Sequence, residues 1–130
     1  MQKVVSPGLK ILFLVHAIGG TIFGLVYLII PQAVETLLRV PVKDPELYRV
    51  LGAALLGIAA SSWYAWRETA WERVKIVVQM EIVWTILGTL TMLWGLLFAG
   101  LPAVEWTQAV ILGGFAVAFC VYFYQHVREG

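Results

Sequence analysis

Lys75 to Phe98 reads KIVVQMEIVWTILGTLTMLWGLLF, and its interpretation decides the fold. Behind the lysine the run holds a single charge, Glu81. About 20 apolar residues of helix match the ~30 Å hydrocarbon thickness of a bilayer. A core helix of a water-soluble domain has little need for so long a run. The segment therefore reads as a membrane span, with Glu81 well inside it. A carboxylate in hydrocarbon is costly, so the other helices are expected to shelter it.

Composition agrees with that solvent. Of 130 residues, 61% are hydrophobic and 13% are charged, where soluble domains average about 25% charged. The charges cluster between apolar runs. The length fits one membrane domain over 1–130. A net charge of +1 leaves no electrostatic footprint for nucleic acid. The lone Cys120 cannot close an intrachain disulfide and reads as a small buried hydrophobe. No His/Cys spacing fits a metal site. Lys3 and Lys10 precede the first apolar run as they would in a signal peptide, but it continues to Ile30 without a small-x-small cleavage site. It is expected to be a mature helix.

Working outward from Lys75, the loop Arg67–Lys75 is short and carries both signs of charge, so the preceding span, about 47–66, must fold back against 74–98 as a hairpin. Asp44 and Pro45 supply that span's cap and first turn. Ala53, Gly57 and Ala60 give it a small-residue stripe. Trp63, Tyr64 and Trp66 form an aromatic belt near its end, and Trp71 and Trp106 also lie close to span ends. The first span, about 9–30, stops at Pro31. Its Gly20 and Gly24 share a face and permit close helix approach. Gln32–Val40 reads as a short helix on the membrane surface. Beyond Phe98, Gly100–Pro102 breaks the chain, and a fourth span runs over about 105–124. Gly88 and Gly95, two turns apart, are further packing positions. His126, Arg128 and Glu129 form a tail. The expected fold is all-α: an antiparallel four-helix transmembrane bundle with a short interfacial helix after the first span.

Four spans put both termini on one side. That side holds Lys3, Lys10, Arg67, Arg73, Lys75 and Arg128; the other holds Arg39, Lys43 and Arg49. The basic excess predicts that both termini are cytoplasmic.

Depth is the most informative pattern. At 1.5 Å per residue, Glu81 and His16 each lie roughly 10 Å in from the same membrane face. Ser61 and Ser62 reach a similar level from the other direction. Gln79, Thr85 and Trp84 flank Glu81, and Cys120 lies near this level on the fourth span. These residues form one polar layer, a candidate proton or ligand site, while the opposite leaflet is nearly free of ionisable groups. Three readings fit the layer: a structural network in which His16 and Glu81 satisfy each other, a proton or small-substrate site, or a ligand pocket. A lone His16 has no second axial ligand at its depth, so no cofactor is expected. Beyond a loose trio of Ser61 or Ser62, His16 and Glu81, no catalytic set is visible.

The glycine-rich first span ending YLIIP (27–31), the interfacial stretch, and ELYRVLGAALLGIAASSWYAWRE (46–68) resemble small four-helix bacterial integral membrane proteins, and the layout is similar to the DoxX-like group. Arg49-Val50-Leu51-Gly52 resembles the arginine–x–x–glycine opening of the second span in such families. The resemblance implies a multi-pass protein of a prokaryotic inner membrane and carries no activity with it. The leading functional expectation is an accessory or structural subunit of a membrane complex, or a self-associating protein, without catalysis of its own. Its expected partners are membrane lipids and either other membrane subunits or further copies of itself. The alternatives are a small proton-coupled transporter acting as an oligomer, and an intramembrane lipid-binding protein or enzyme.

Overall fold

The computed structural model describes residues 2–129. It consists of helices α1 (Pro7–Ile29), α2 (Ala33–Leu38), α3 (Pro45–Arg67), α4 (Trp71–Phe98) and α5 (Trp106–Arg128), with a 3₁₀ turn at Ala103–Glu105 leading into α5. Ser6 caps α1, its hydroxyl accepting from Leu9 N–H at 3.3 Å, and Pro7 opens the helix where no amide donor is needed. Asp44 caps α3 in the same way, ahead of Pro45.

Three segments are long and apolar enough to cross a membrane: Pro7–Ile29, Trp71–Phe98 and Ala103–Arg128, with mean hydropathies of 2.1, 1.7 and 1.7. α3 matches α1 at 23 residues but is not among them. Its sequence explains why. Small Ala, Gly and Ser residues replace large aliphatics, and Glu46, Arg49 and Arg67 sit near its ends.

The long helices pair. α1 packs chiefly on α3, and α4 chiefly on α5. Along the first pair, His16 meets Ser62, Gly20 lies beside Ala59, and Gly24 lies beside Gly52 and Leu56. Contacts climb α1 as they descend α3, so the two run antiparallel. In the second pair Trp71 packs on Phe123, Gly88 lies beside Leu112, and Gly95 receives Leu101 from the returning loop.

Gly52 lets the α1 backbone come closest. A Cβ there would lie 2.6 Å from Leu28 N and 2.7 Å from Gly24 O. The expected stripe at Ala53 and Gly57 instead points outward: both residues are exposed, and a Cβ on Gly57 would meet nothing within 4 Å. One residue of helix is a rotation of about 100°, enough to move the contact face from Ala53 to Gly52.

At the end bearing the termini the two pairs close on each other. Leu9, Phe13, Val74, Val78 and Phe119 are fully buried there with Trp71. The residues before α1 join this end: Val5 N–H donates to Thr69 O and Trp71 N–H to Lys3 O, each at 2.8 Å. Two expectations are corrected at this end. Trp71 is not a belt residue; it is 1% exposed and stacks on His126 with ring centroids 4.5 Å apart. His126 is not part of a polar tail; it is buried, its Nδ1 2.8 Å from Tyr122 O and its Nε2 accepting from Ser6 N–H at 3.2 Å. These partners fix the tautomer with the proton on Nδ1.

Candidate functional site

The polar layer gathers into a closed cycle of three side chains, one from each of α1, α3 and α4. Ser62 Oγ lies 2.9 Å from His16 Nδ1 and donates to Glu81 Oε1 at 3.0 Å. Glu81 Oε2 lies 3.3 Å from His16 Nε2, near enough for an ion pair though not aligned as a hydrogen bond. Because the serine proton goes to Glu81, His16 Nδ1 is the donor to the serine. The remaining proton then belongs to either His16 Nε2 or Glu81. A neutral acid beside a neutral imidazole and a carboxylate beside an imidazolium hold the same number of protons. Ser62 bridges the other two, while Glu81 Oε2 makes no hydrogen bond and meets His16 Nε2 only by proximity.

The surroundings of the cycle are apolar. Ser62 and Glu81 are fully buried. Phe115 and Phe119 meet the His16 ring edge-on, with centroids 4.8 and 5.5 Å away. Thr85 is buried but turns away from the cycle, its hydroxyl donating to the Glu81 backbone carbonyl at 2.6 Å. Ser61 likewise bonds its own helix at Ile58 O, 2.6 Å. Gln79 is exposed, and Cys120 is half-buried and takes no part. Of the expected layer, His16, Ser62 and Glu81 come together, while Ser61, Gln79 and Thr85 do not join them.

Ser62 is fully buried and does not border the cavity between the helix pairs, so a molecule in that cavity does not reach its hydroxyl. Among the described residues no group of three His, Cys, Asp or Glu could hold a metal ion.

Away from the termini the two helix pairs separate around a cavity of about 590 Å³. It begins at His16, the one member of the cycle that borders it, and passes Gly19, Gly20, Trp84 and Gly88. Its walls are overwhelmingly apolar. The volume lies in the ~300–1,000 Å³ range of small-molecule sites. Trp84 forms part of its wall, and the indole Nε1 is buried with no acceptor. Val34 and Leu38 of α2 cover the far end. α2 ends at Arg39, in the left-handed conformation (φ 56°), and Glu35 accepts from Val42 N–H at 2.7 Å, which holds the connection to α3 in place.

The far end of the cavity carries polar groups that were not read from the sequence as part of a site. Tyr27, Tyr48, Glu105 and Gln108 all border it, and Glu105 is only 3% exposed. The Tyr27 and Tyr48 rings meet edge-on with centroids 5.8 Å apart. Sequence reading treated Glu105 as the start of a span. The available signal was an acid three residues ahead of Gln108, on the same helical face. A second pocket of about 330 Å³ between α1, α2 and α5 shares Phe23, Tyr27 and Gln108 with the first. No family model, curated protein or solved structure matches this chain.

Proposed function

We propose that this chain is a four-span protein of a prokaryotic inner membrane that binds a membrane-borne apolar or amphiphilic molecule between its two helix pairs. The observation that carries the reading is the apolar cavity of about 590 Å³ lined by all four long helices. Counting α3 as a span rests on its 23 residues, about 35 Å of helix, and on its contacts along α1 from His16 to Leu28. The pair would cross the same thickness of bilayer. α2 then lies at the interface, and the layout resembles that of the DoxX-like group. The basic excess near the termini supports a cytoplasmic position for both.

In this reading the His16–Ser62–Glu81 cycle is structural. It ties α1, α3 and α4 together and closes the inner end of the cavity. Glu81 and Ser62 do not border the cavity, so the geometry supports ligand binding over proton-coupled transport.

Gly19 provides the test. It borders the cavity, and a Cβ there would meet nothing within 4 Å. Gly19→Phe is expected to fill the space without disturbing the α1–α3 contact. Native mass spectrometry from a mild detergent is expected to show a bound lipid-like adduct on the wild type and its loss in the variant. A wild type with no adduct, or the same adduct in both proteins, contradicts the proposal.

A further inference from the structure

We infer that Glu105 holds the ammonium head of a cationic amphiphile whose apolar tail lies in the cavity. The inference rests on the cavity being a ligand site and adds the class of ligand and its orientation. Glu105 is 3% exposed and borders the cavity. It stands at the N-cap position of α5, yet its side chain makes no capping bond, and no basic group pairs with it among the described residues. A buried carboxylate without a counter-ion is expensive, and a ligand cation would supply the partner.

The neighbours of Glu105 fit an ammonium ion. Tyr27 and Tyr48 turn two aromatic rings toward the same space, and aromatic faces attract alkylammonium groups beside an acid. Gln108 hydrogen-bonds Glu105 and steadies the acid, but as a neutral amide it supplies no counter-ion. The other end of the cavity offers a head group nothing comparable. Both His16 nitrogens are engaged with Ser62 and Glu81, and Trp84 Nε1 is out of reach. That end, walled by Phe115 and Gly19, takes the tail. The orientation also suits the bilayer: Trp106, next to Glu105, is 45% exposed at the end of its helix, where aromatic residues mark the headgroup level.

Calorimetric titration in uncharged maltoside micelles, with dodecyltrimethylammonium and dodecanol as probes, tests the assignment. The wild type is expected to bind the ammonium about tenfold more tightly than the alcohol, a difference of about 1.4 kcal/mol. Glu105→Gln is expected to abolish that preference while leaving dodecanol binding unchanged. Gly19→Phe is expected to weaken both probes. Equal binding of the two by the wild type, or a preference that survives Glu105→Gln, overturns the inference and leaves the cavity reading standing. Failure of both probes to bind, or binding indifferent to Gly19→Phe, overturns the two together. If Glu105→Gln does not fold, Tyr48→Leu keeps the acid and removes one ring. Its expected effect is a roughly two- to fivefold loss of ammonium affinity alone, and an unchanged affinity counts against the assignment.

Discussion

The half of the molecule that carries the termini and the half away from them are built from the same four long helices and pack in opposite ways. In the terminal half Phe13, Trp71, Val78 and Phe119 fill the space between the helix pairs, and His126 is fixed by a stacked indole and two backbone groups. In the far half a smaller cluster, Tyr27, Val34 and Leu55 with Phe23, Tyr48 and Trp84, packs α1 and α3 beneath α2, but it does not fill the space between the pairs, and a cavity of about 590 Å³ remains. The His16–Ser62–Glu81 cycle lies at the border between them. In a bilayer, lipid tails are as apolar as leucine, so helices associate through packing and hydrogen bonds rather than through water's exclusion. A protein that leaves a cavity of about 590 Å³ between its helix pairs gives up that contact unless another molecule supplies it.

Substitutions can break or sharpen the contrast. The largest effect is expected from Trp71→Ala, which empties the closed half and removes the stack on His126. A loss of about 3–5 kcal/mol is expected in reversible SDS unfolding from micelles. A loss under about 1 kcal/mol in the same titration says that the terminal half is not the stable one.

Next comes the border. Glu81→Leu strands the Ser62 hydroxyl and one His16 nitrogen, at a cost of about 1–3 kcal/mol for the groups left unsatisfied. Glu81→Gln has an oxygen for the serine and an N–H for the imidazole, so it should cost about 1 kcal/mol or less. If Glu81→Gln is as damaging as Glu81→Leu in the same unfolding assay, the pair is ionic and needs the charge itself.

A comparable loss, about 1–3 kcal/mol from overpacking, is expected for Gly52→Leu. That substitution forces α1 and α3 apart against backbone at 2.6 Å. Gly57→Leu, five residues further along the same helix, should leave stability unchanged or slightly improved, since Gly57 meets nothing within 4 Å. Equal losses from both would mean that the outward face of α3 is covered by a further chain.

The smallest effect belongs to the far half. Trp84→Phe removes an indole donor that has no acceptor, and a change within about 1 kcal/mol is expected. A markedly larger loss in the unfolding titration would mean that the indole packs the cavity wall in a way phenylalanine cannot replace.

These expectations also mark what the sequence could tell. The long helices were legible because turn residues and caps punctuate apolar runs: Pro31, Asp44-Pro45 and Gly100–Pro102 each stand at a boundary. The pairing of His16 with Glu81 was legible because helical rise is constant, so distance along the chain converts directly to depth. Rotation was harder. A face set by packing at Gly52 rather than Ala53 differs by one residue, and small residues occupy both positions. Ser61 and Ser62 were indistinguishable for the same reason. The cavity left no mark, because the periodicity of each helix is silent about the gap between helix pairs. His126 and Glu105 were missed because polar residues at span ends read as solvated; here the helix runs on past one, and the cavity reaches down to the other.

The most direct test of the account is an experimental structure determined in lipid nanodiscs, inspected between Gly19 and Glu105. The account predicts continuous elongated density in the far half, filling a cavity of about 590 Å³ between the helix pairs. Helix pairs collapsed into contact across that space, or a cavity holding only water, would contradict it.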